Sequence, residues 1–333
     1  MTTSATLHIG DALTVLRTMP AESVHCVVTS PPYWGLRDYG TGTCDHVIAE
    51  MRTKRGLDAC AKKQGGGGST PMDEYPKMMA RTVCPKCGAR RADQQLGLEA
   101  TPADYLARMV ELFEEVRRVL RDDGVCWMNM GDGYMHKNLI GMPWRLALAL
   151  QDAGWWLRSD CIWHKLNPMP ESVTDRPTKS HEYVFLLTKS ERYFWDGDAV
   201  REPAEYGRRI HSEKWRSGKD NGDGHRSGGG SITGSDPSVG RNIRTVWSIA
   251  TQPFSGGHFA TFPEELVRRC VAAGSRLSDI VLDPFAGAGT TGVIALRMGR
   301  SFIGVELKPE YAEMARSRIV DDAPMFNRCL IQA

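Results

Sequence analysis

The sequence predicts an α/β fold: a doubly wound, mostly parallel sheet with helices on both faces and a ligand site at the carboxyl ends of its strands. Two stretches carry this expectation. Residues 280–306 read as strand, glycine-rich turn, helix and strand. Ile280-Val281-Leu282 leads into Asp283-Pro284-Phe285-Ala286-Gly287-Ala288-Gly289-Thr290-Thr291-Gly292, and the helix stops at Gly299. The strand Ser301–Val305 follows, with Glu306 at its end. Small residues in such a turn let a nucleotide approach the backbone, and an acidic residue after the second strand can bind ribose hydroxyls. Near the other end, the apolar run Val24-His25-Cys26-Val27-Val28 reads as a short buried strand. It stops at Thr29-Ser30-Pro31-Pro32-Tyr33-Trp34, where two prolines lock φ and remove two N–H donors. The result is a stiff turn whose carbonyls lack internal partners, beside a flat aromatic pair. Such a turn suits a planar heterocycle that carries an amino group.

The remaining elements follow in order. Leu7, Ile9, Leu13, Val15 and Leu16 around Gly10-Asp11 predict a strand, a turn and a short helix ending near Pro20. Thr101 caps a helix that Pro102 and Asp104 open, with Tyr105, Met109, Leu112, Phe113, Val116 and Leu120 along one face. Asp122-Asp123-Gly124 reads as a turn into the strand Val125–Met130, and Gly131-Asp132 ends it. Asp132 has two readings, a pocket-lining acid or a cap for Gly133-Tyr134. Pro143 opens another helix that ends at Gly154. Trp155–Trp163 and Tyr183–Leu187 read as strands flanking a proline-rich loop through Pro177.

Composition sets the bounds. With 333 residues, 41% hydrophobic and 25% charged, the chain can bury one large core or two modest ones. A net charge of +2 makes any basic surface local. No apolar run approaches ~18 residues, so no membrane span is expected. The N-terminus shows no basic segment followed by an apolar core, so no secretory signal is expected. Nine cysteines, an odd number, then point to reduced thiols in a cytosol-like compartment.

The two loops together resemble the amino-group DNA methyltransferases that use S-adenosylmethionine. Ser30-Pro31-Pro32-Tyr33 is similar to their catalytic motif, and Asp283-Pro284-Phe285-Ala286-Gly287-Ala288-Gly289 to their cofactor loop. The order, catalytic motif first and cofactor loop last, resembles the permuted β group. Asn167-Pro168-Met169-Pro170-Glu171-Ser172 and Asp175–Tyr183 are similar to further family segments. The resemblance implies a Rossmann-like class I methyltransferase domain spanning 1–333. It implies S-adenosylmethionine held by Asp283, Pro284, Phe285, Ala286, Gly287, Gly289, Thr290, Thr291 and Glu306. His258, Phe259, Phe262 and Pro263 would line its methionine end. It also implies a contact from Asp11 to the cofactor adenine, although an Asp there more commonly caps the helix that follows.

Two insertions interrupt the domain. Residues 41–98 include Gly65-Gly66-Gly67-Gly68-Ser69-Thr70, a linker by composition, between Cys44-x-His46 and Cys84-Pro85-Lys86-Cys87-Gly88. The second pair has zinc-knuckle spacing, so Cys44, His46, Cys84 and Cys87 are candidate ligands of one structural Zn2+. The competing reading is unpaired surface thiols. Residues 201–244 are rich in glycine, serine and charge around Lys214-Trp215-Arg216. That composition suits either a solvated linker or a segment that orders on nucleic acid. In the permuted family the target-recognition region lies between the catalytic and cofactor motifs, so residues 201–244, with residues 41–98 as a further candidate, are expected to serve as it.

The resemblance implies a chemistry. Double-stranded DNA is the expected partner, with the target base flipped into the pocket. Tyr33 would stack on it with help from Trp34, and the Pro31 carbonyl and Ser30 hydroxyl would accept hydrogen bonds from the amino group. Lys165 and Arg176, in one loop region with Lys179, would contact phosphates. No Pro-Cys dipeptide occurs, which argues against the covalent route to carbon-5 methylation. Ser at the first motif position is more typical of cytosine N4 members, so N4 is favoured over adenine N6. A non-catalytic zinc-containing nucleic-acid binder is the remoter alternative; a nicotinamide oxidoreductase loses ground because the third glycine is missing. The expected setting is restriction-modification in a bacterial, archaeal or phage-infected cytoplasm. A cognate endonuclease would be a partner, and the chain would be a monomer or homodimer.

Overall fold

The computed structural model describes residues 3–35, 95–203, 240–252 and 262–332. In chain order the strands are β1 (Ala5–Ile9), β2 (Val24–Thr29), β3 (Leu120–Met130), β4 (Tyr134–Met135), β5 (Asn138–Leu139), β6 (Trp156–Lys165), β7 (His181–Thr188), β8 (Val246–Ile249), β9 (Ile280–Asp283), β10 (Ser301–Glu306) and β11 (Cys329–Gln332). The α-helices are α1 (Ala12–Thr18), α2 (Pro102–Val119), α3 (Met142–Asp152), α4 (Glu264–Gly274), α5 (Thr290–Arg297) and α6 (Pro309–Asp322). Among the described residues no helix is long and apolar enough to cross a membrane.

The main sheet has nine strands in the order β11-β1-β10-β9-β2-β3-β7-β6-β8. β7 runs antiparallel to both of its neighbours, β3 and β6, and every other neighbouring pair is parallel. β1 inserts between β10 and β11, so the first strand is held by the last two. The carboxyl ends of β1, β10, β9, β2 and β3 therefore lie side by side along one edge. Because β7 is reversed, its amino end reaches that same edge.

The strands read as apolar runs because both faces of the sheet are covered. One face packs on α2 and α3 through Leu112, Phe113, Val116, Met128, Leu146, Leu150 and Phe185, all buried. On α4, Val267, Cys270 and Val271 are buried as well, and the helix packs against β2 and β3. α2 starts where its cap predicts: the Thr101 hydroxyl accepts a hydrogen bond from the Asp104 amide at 3.1 Å. Thr101→Ala removes that bond and should lower stability by about 1 kcal/mol. A thermal melt should show a midpoint lower by roughly 2–4 °C, with activity unchanged.

Two boundaries differ from expectation. β3 begins at Leu120, so Asp122-Asp123-Gly124 lies inside the strand. The pairing register with β2 shifts there, from Val24–Leu120 to Cys26–Val125, so the turn signal marks an irregularity in the ladder rather than a break. Residues 95–98, expected at the end of the first insertion, instead join the described fold, where Gly97 packs on the loop after β2. By its contacts the chain divides into two compact units, residues 1–195 with 245–333, and residues 196–244. Within the smaller unit Glu202 pairs with Arg241 as an isolated bridge, and the Glu202 carboxylate accepts from Arg244 at 2.8 Å.

Candidate active site

The loop after β2 is held from three sides. The Tyr105 hydroxyl, on α2, donates to the Pro32 carbonyl at 2.8 Å. The Trp34 indole donates to the Glu99 carbonyl at 3.0 Å, and the Gly35 amide to the Gly97 carbonyl at 2.8 Å. Glu99 is fixed in turn, taking Arg108 at 2.8 Å on one oxygen and the Gly97 amide at 2.8 Å on the other. Trp34 is buried at 4% exposure, so it supports the loop from behind and does not present a face to a base.

Tyr33 is half-buried and tethered at its tip. Its hydroxyl donates to Glu182 Oε2 at 2.8 Å, and Asn129 Nδ2 donates to the same oxygen at 2.8 Å and to the Tyr33 hydroxyl at 3.1 Å. Ser30 Oγ lies at the near end of this chain, 3.4 Å from the Tyr33 hydroxyl. Lys165 Nζ donates to Glu182 Oε1 at 2.6 Å. Burial raises the Glu182 carboxyl, but the Lys165 charge and the three hydrogen bonds outweigh it, leaving the group below its ordinary value. Burial, and then the Glu182 charge, pushes the Tyr33 phenol well up, so it stays protonated and remains a donor.

The glycine-rich loop lies between β9 and α5. Asp283, at the end of β9, is 1% exposed. It accepts from Thr29 at 2.7 Å, from the Phe285 amide at 3.0 Å and from Thr291 at 2.8 Å. The Thr29 bond ties the end of β2 to the start of the glycine-rich loop. Gly287 and Gly289 have φ of +50° and +75°, left-handed conformations that favour glycine. The turn closes with the Gly289 amide on the Ala286 carbonyl at 2.8 Å, and the Ala286 amide on the Val305 carbonyl at 2.9 Å. Thr290 accepts from Arg318 at 2.8 Å. Glu306 holds the loop from the adjacent strand, taking the Gly287 amide at 3.0 Å and the Lys308 amide at 2.9 Å. Pro284 is buried and Phe285 half-buried in the same turn.

Burial dominates the electrostatics of this corner. Burial raises the Asp283 carboxyl to about 6, and raises Glu306 as well, with Asp283 adding to that rise. The donors named above for these two carboxylates are hydroxyls and backbone amides, not cations. Two desolvated carboxylates held by neutral donors suit a cationic ligand.

The other expected residues fall as follows. Asp11 caps α1, accepting from the Thr14 amide at 2.9 Å, and lies beside Glu306 because the Gly10 amide bonds the Glu306 carbonyl at 3.0 Å. Pro263 caps α4 and is buried, and Phe262 is half-buried. His258 and Phe259 lie outside the described residues, as do Cys44, His46, Cys84 and Cys87. Among the described residues no group of three or more His, Cys, Asp or Glu is placed to hold a metal. Lys165 departs from the expected phosphate contact, because its ammonium is committed to Glu182 and lies 4.9 Å from the Trp163 ring centre. Arg176 is likewise engaged, donating to Glu171 at 2.6 Å and stacking 4.0 Å over the Tyr134 ring. Asp132 is a cap: its carboxylate accepts the amides of Gly133, Gly141 and Met142, the last opening α3. Glu182, Asn129 and Tyr105 escaped sequence reasoning as site residues. The one available signal was a charged residue leading an apolar strand at Glu182.

Residues 24–317 match the N6/N4 family model described as DNA methylase. The chain is 40% identical to the type II methyltransferase M.Cfr9I of Citrobacter freundii, covering 95% of this chain and 87% of that one. It is 37% identical to the type II methyltransferase M.SmaI of Serratia marcescens, covering 95% and 91%. Among solved structures, the PvuII cytosine-N4-specific DNA methyltransferase superposes with a TM-score of 0.60 at 18% identity, covering 99% and 96%. A protein of Thermus thermophilus solved in complex with S-adenosyl-L-methionine superposes at 0.56 and 24%, covering 99% of each chain. At these identities the two structures bear on the fold alone.

Proposed function

The chain belongs to the N6/N4 DNA methylase family, and from that premise we propose that it is a type II modification enzyme transferring a methyl group from S-adenosylmethionine to the N4 amino group of cytosine in duplex DNA. One observation carries the placement of the reaction: Thr29 and Asp283 join the catalytic turn and the glycine-rich turn at 2.7 Å, on adjacent strand ends. The carboxylates of Asp283 and Glu306, together with the Gly287–Gly289 turn, fit a cofactor that carries a sulfonium and an ammonium group. That cofactor would supply an electrophilic methyl group whose sulfur leaves as a neutral thioether as the carbon–sulfur bond breaks, and the methylated nitrogen then gives up one proton to solvent.

The chain's own residues receive the base. A target inside a duplex hides its amino group and must be flipped out. Tyr33 stacks on the flipped base. The Ser30 hydroxyl and the Pro31 carbonyl accept its amino hydrogens, which keeps the nitrogen lone pair from conjugating fully into the ring and aims it at the methyl group. The Pro32 carbonyl is already taken by Tyr105. Positioning of this kind supplies up to ~7–11 kcal/mol of a barrier. The preference for cytosine rests on Ser30, a neutral acceptor where adenine N6 members usually carry Asp or Asn. Residues 201–244, with their basic composition, are proposed as the target-recognition region. The type II relatives support a cognate restriction endonuclease acting at the same site.

Labelled S-adenosylmethionine and mixed-sequence duplex DNA test this, with nucleosides of the product identified by mass spectrometry. N4-methylcytosine is the expected product. N6-methyladenine would overturn the cytosine assignment and leave the positioning argument intact. A product without any methylated nucleoside, despite measured cofactor binding, would overturn DNA methylation itself.

A further inference from the structure

We propose that Glu182 is a positioning residue for the catalytic loop: its carboxylate anchors the Tyr33 hydroxyl and thereby fixes the ring on which the target base stacks. The inference rests on the reading of Tyr33 as that stacking platform. Three strands converge to make the anchor. Tyr33 follows β2, Asn129 sits near the end of β3, and Glu182 near the start of the reversed β7. Oε2 of Glu182 takes the Tyr33 hydroxyl and Asn129 Nδ2, each at 2.8 Å, while Oε1 takes Lys165 Nζ at 2.6 Å.

Only an ionised carboxylate accepts from all three donors at once; an amide in its place must turn an NH2 toward one of them. The backbone also defines the ring's edge. A Cβ on Gly131 would lie 2.8 Å from Tyr33 Cε2, so the ring rests directly against the end of β3. Asn129 is 3% exposed, and its amide nitrogen is spent on this cluster. Its Oδ1 is left buried without a partner among the described residues. The ring is therefore held at its edge by Gly131 and at its tip by Glu182, with the Lys165 charge keeping the anchor ionised.

Single-turnover methyl transfer to duplex DNA tests this in Tyr33→Phe, Glu182→Gln, the double variant of those two, and Glu182→Gln with Lys165→Met. Glu182→Gln should slow transfer roughly 10- to 100-fold, the scale of a misplacement of about 1 Å. KM for DNA and cofactor affinity should stay within roughly threefold of wild type. In the Tyr33→Phe background, Glu182→Gln should add no further loss, because the tether is already gone. Adding Lys165→Met to Glu182→Gln should restore most of the rate, since the new side-chain amide could then turn its carbonyl to Tyr33 and Asn129. A wild-type rate in Glu182→Gln, or additive losses with Tyr33→Phe, would overturn the anchor. So would a folded Glu182→Gln/Lys165→Met variant that recovers nothing, which would point to the charge itself. If Glu182→Gln alone fails to fold, the pair with Lys165→Met carries the test, because it buries no unpaired ammonium. A second readout is independent of activity. The Tyr33 hydroxyl proton should be a slowly exchanging NMR resonance in the wild type, assigned by its absence in Tyr33→Phe and lost in Glu182→Gln. A wild-type chain that methylates no DNA would defeat the reading of Tyr33 as the platform, while this resonance would still decide the anchor.

Discussion

Asp283→Asn should yield a protein that is more stable than the wild type and far poorer at holding S-adenosylmethionine. The aspartate is buried, its carboxyl is raised from 3.8 to about 6, and its donors are two hydroxyls and an amide. A raised carboxyl favours the protonated folded state, so its stabilising contribution is full below pH 3.8 and is lost as pH rises through about 6. Above pH 6 the ionised, uncompensated group therefore works against folding by up to about 3 kcal/mol, from ~1.4 kcal/mol per pKa unit. Asparagine removes the charge and keeps the shape. Its carbonyl can take Thr29 and the Phe285 amide. Its NH2 meets Thr291, whose hydroxyl already reaches the Val28 carbonyl at 3.3 Å and can turn its proton there. Chemical denaturation at pH 8 should show the gain, and the gap between variant and wild type should shrink toward pH 4. Cofactor affinity should fall roughly 10- to 100-fold, the scale of 1.5–3 kcal/mol for an interaction with a charged group. Calorimetric titration at pH 8 measures it. Unchanged affinity would mean that Asp283 shapes the loop only. A less stable variant would mean that its hydrogen bonds outweigh its charge.

Gly97→Ala should disable the catalytic turn while sparing the cofactor site. Gly97 has φ +92°, and a Cβ there would lie 2.9 Å from the backbone carbonyl oxygen of Tyr33. The added Cβ is fixed by its own backbone and the oxygen is main chain, so neither can swing away. Left-handed backbone at a non-glycine residue costs about 1–2 kcal/mol. The overlap must then be relieved by moving the Tyr33 peptide. A shift of about 1 Å at the platform should lower the single-turnover rate roughly 100-fold. Gly154→Ala separates the two effects, because Gly154 also has φ +92° but nothing lies within 4 Å of the added carbon. That control should lose about 1–2 kcal/mol of stability and keep its rate. Equal rates for the two variants would remove Gly97 from the argument.

Much of the scaffold was legible because it depends on local pattern. The Thr101 cap and the apolar face of α2 stand where their spacing puts them. The Ser30–Tyr33 turn and the Gly287–Gly289 turn each declare themselves by residues that restrict or relax φ. α6 and β11 went unread, their apolar positions being sparse: in α6 only Ala312, Ala315 and Ile319 are buried.

What the sequence by itself determined is the family and the two loops. Proline and glycine act within a few residues of themselves, so their meaning survives without a partner. Only the tertiary structure decided which side chains meet those loops. Glu182 lies 149 positions from Tyr33, and they touch because β7 runs backwards beside β3. The same reversal brings Lys165, at the end of β6, into an ion pair with Glu182. Trp34, next to the catalytic motif, is turned inward by Glu99, 65 positions later. Hydrogen bonds between distant strands follow sheet order and register, and those are set by how the whole apolar core packs.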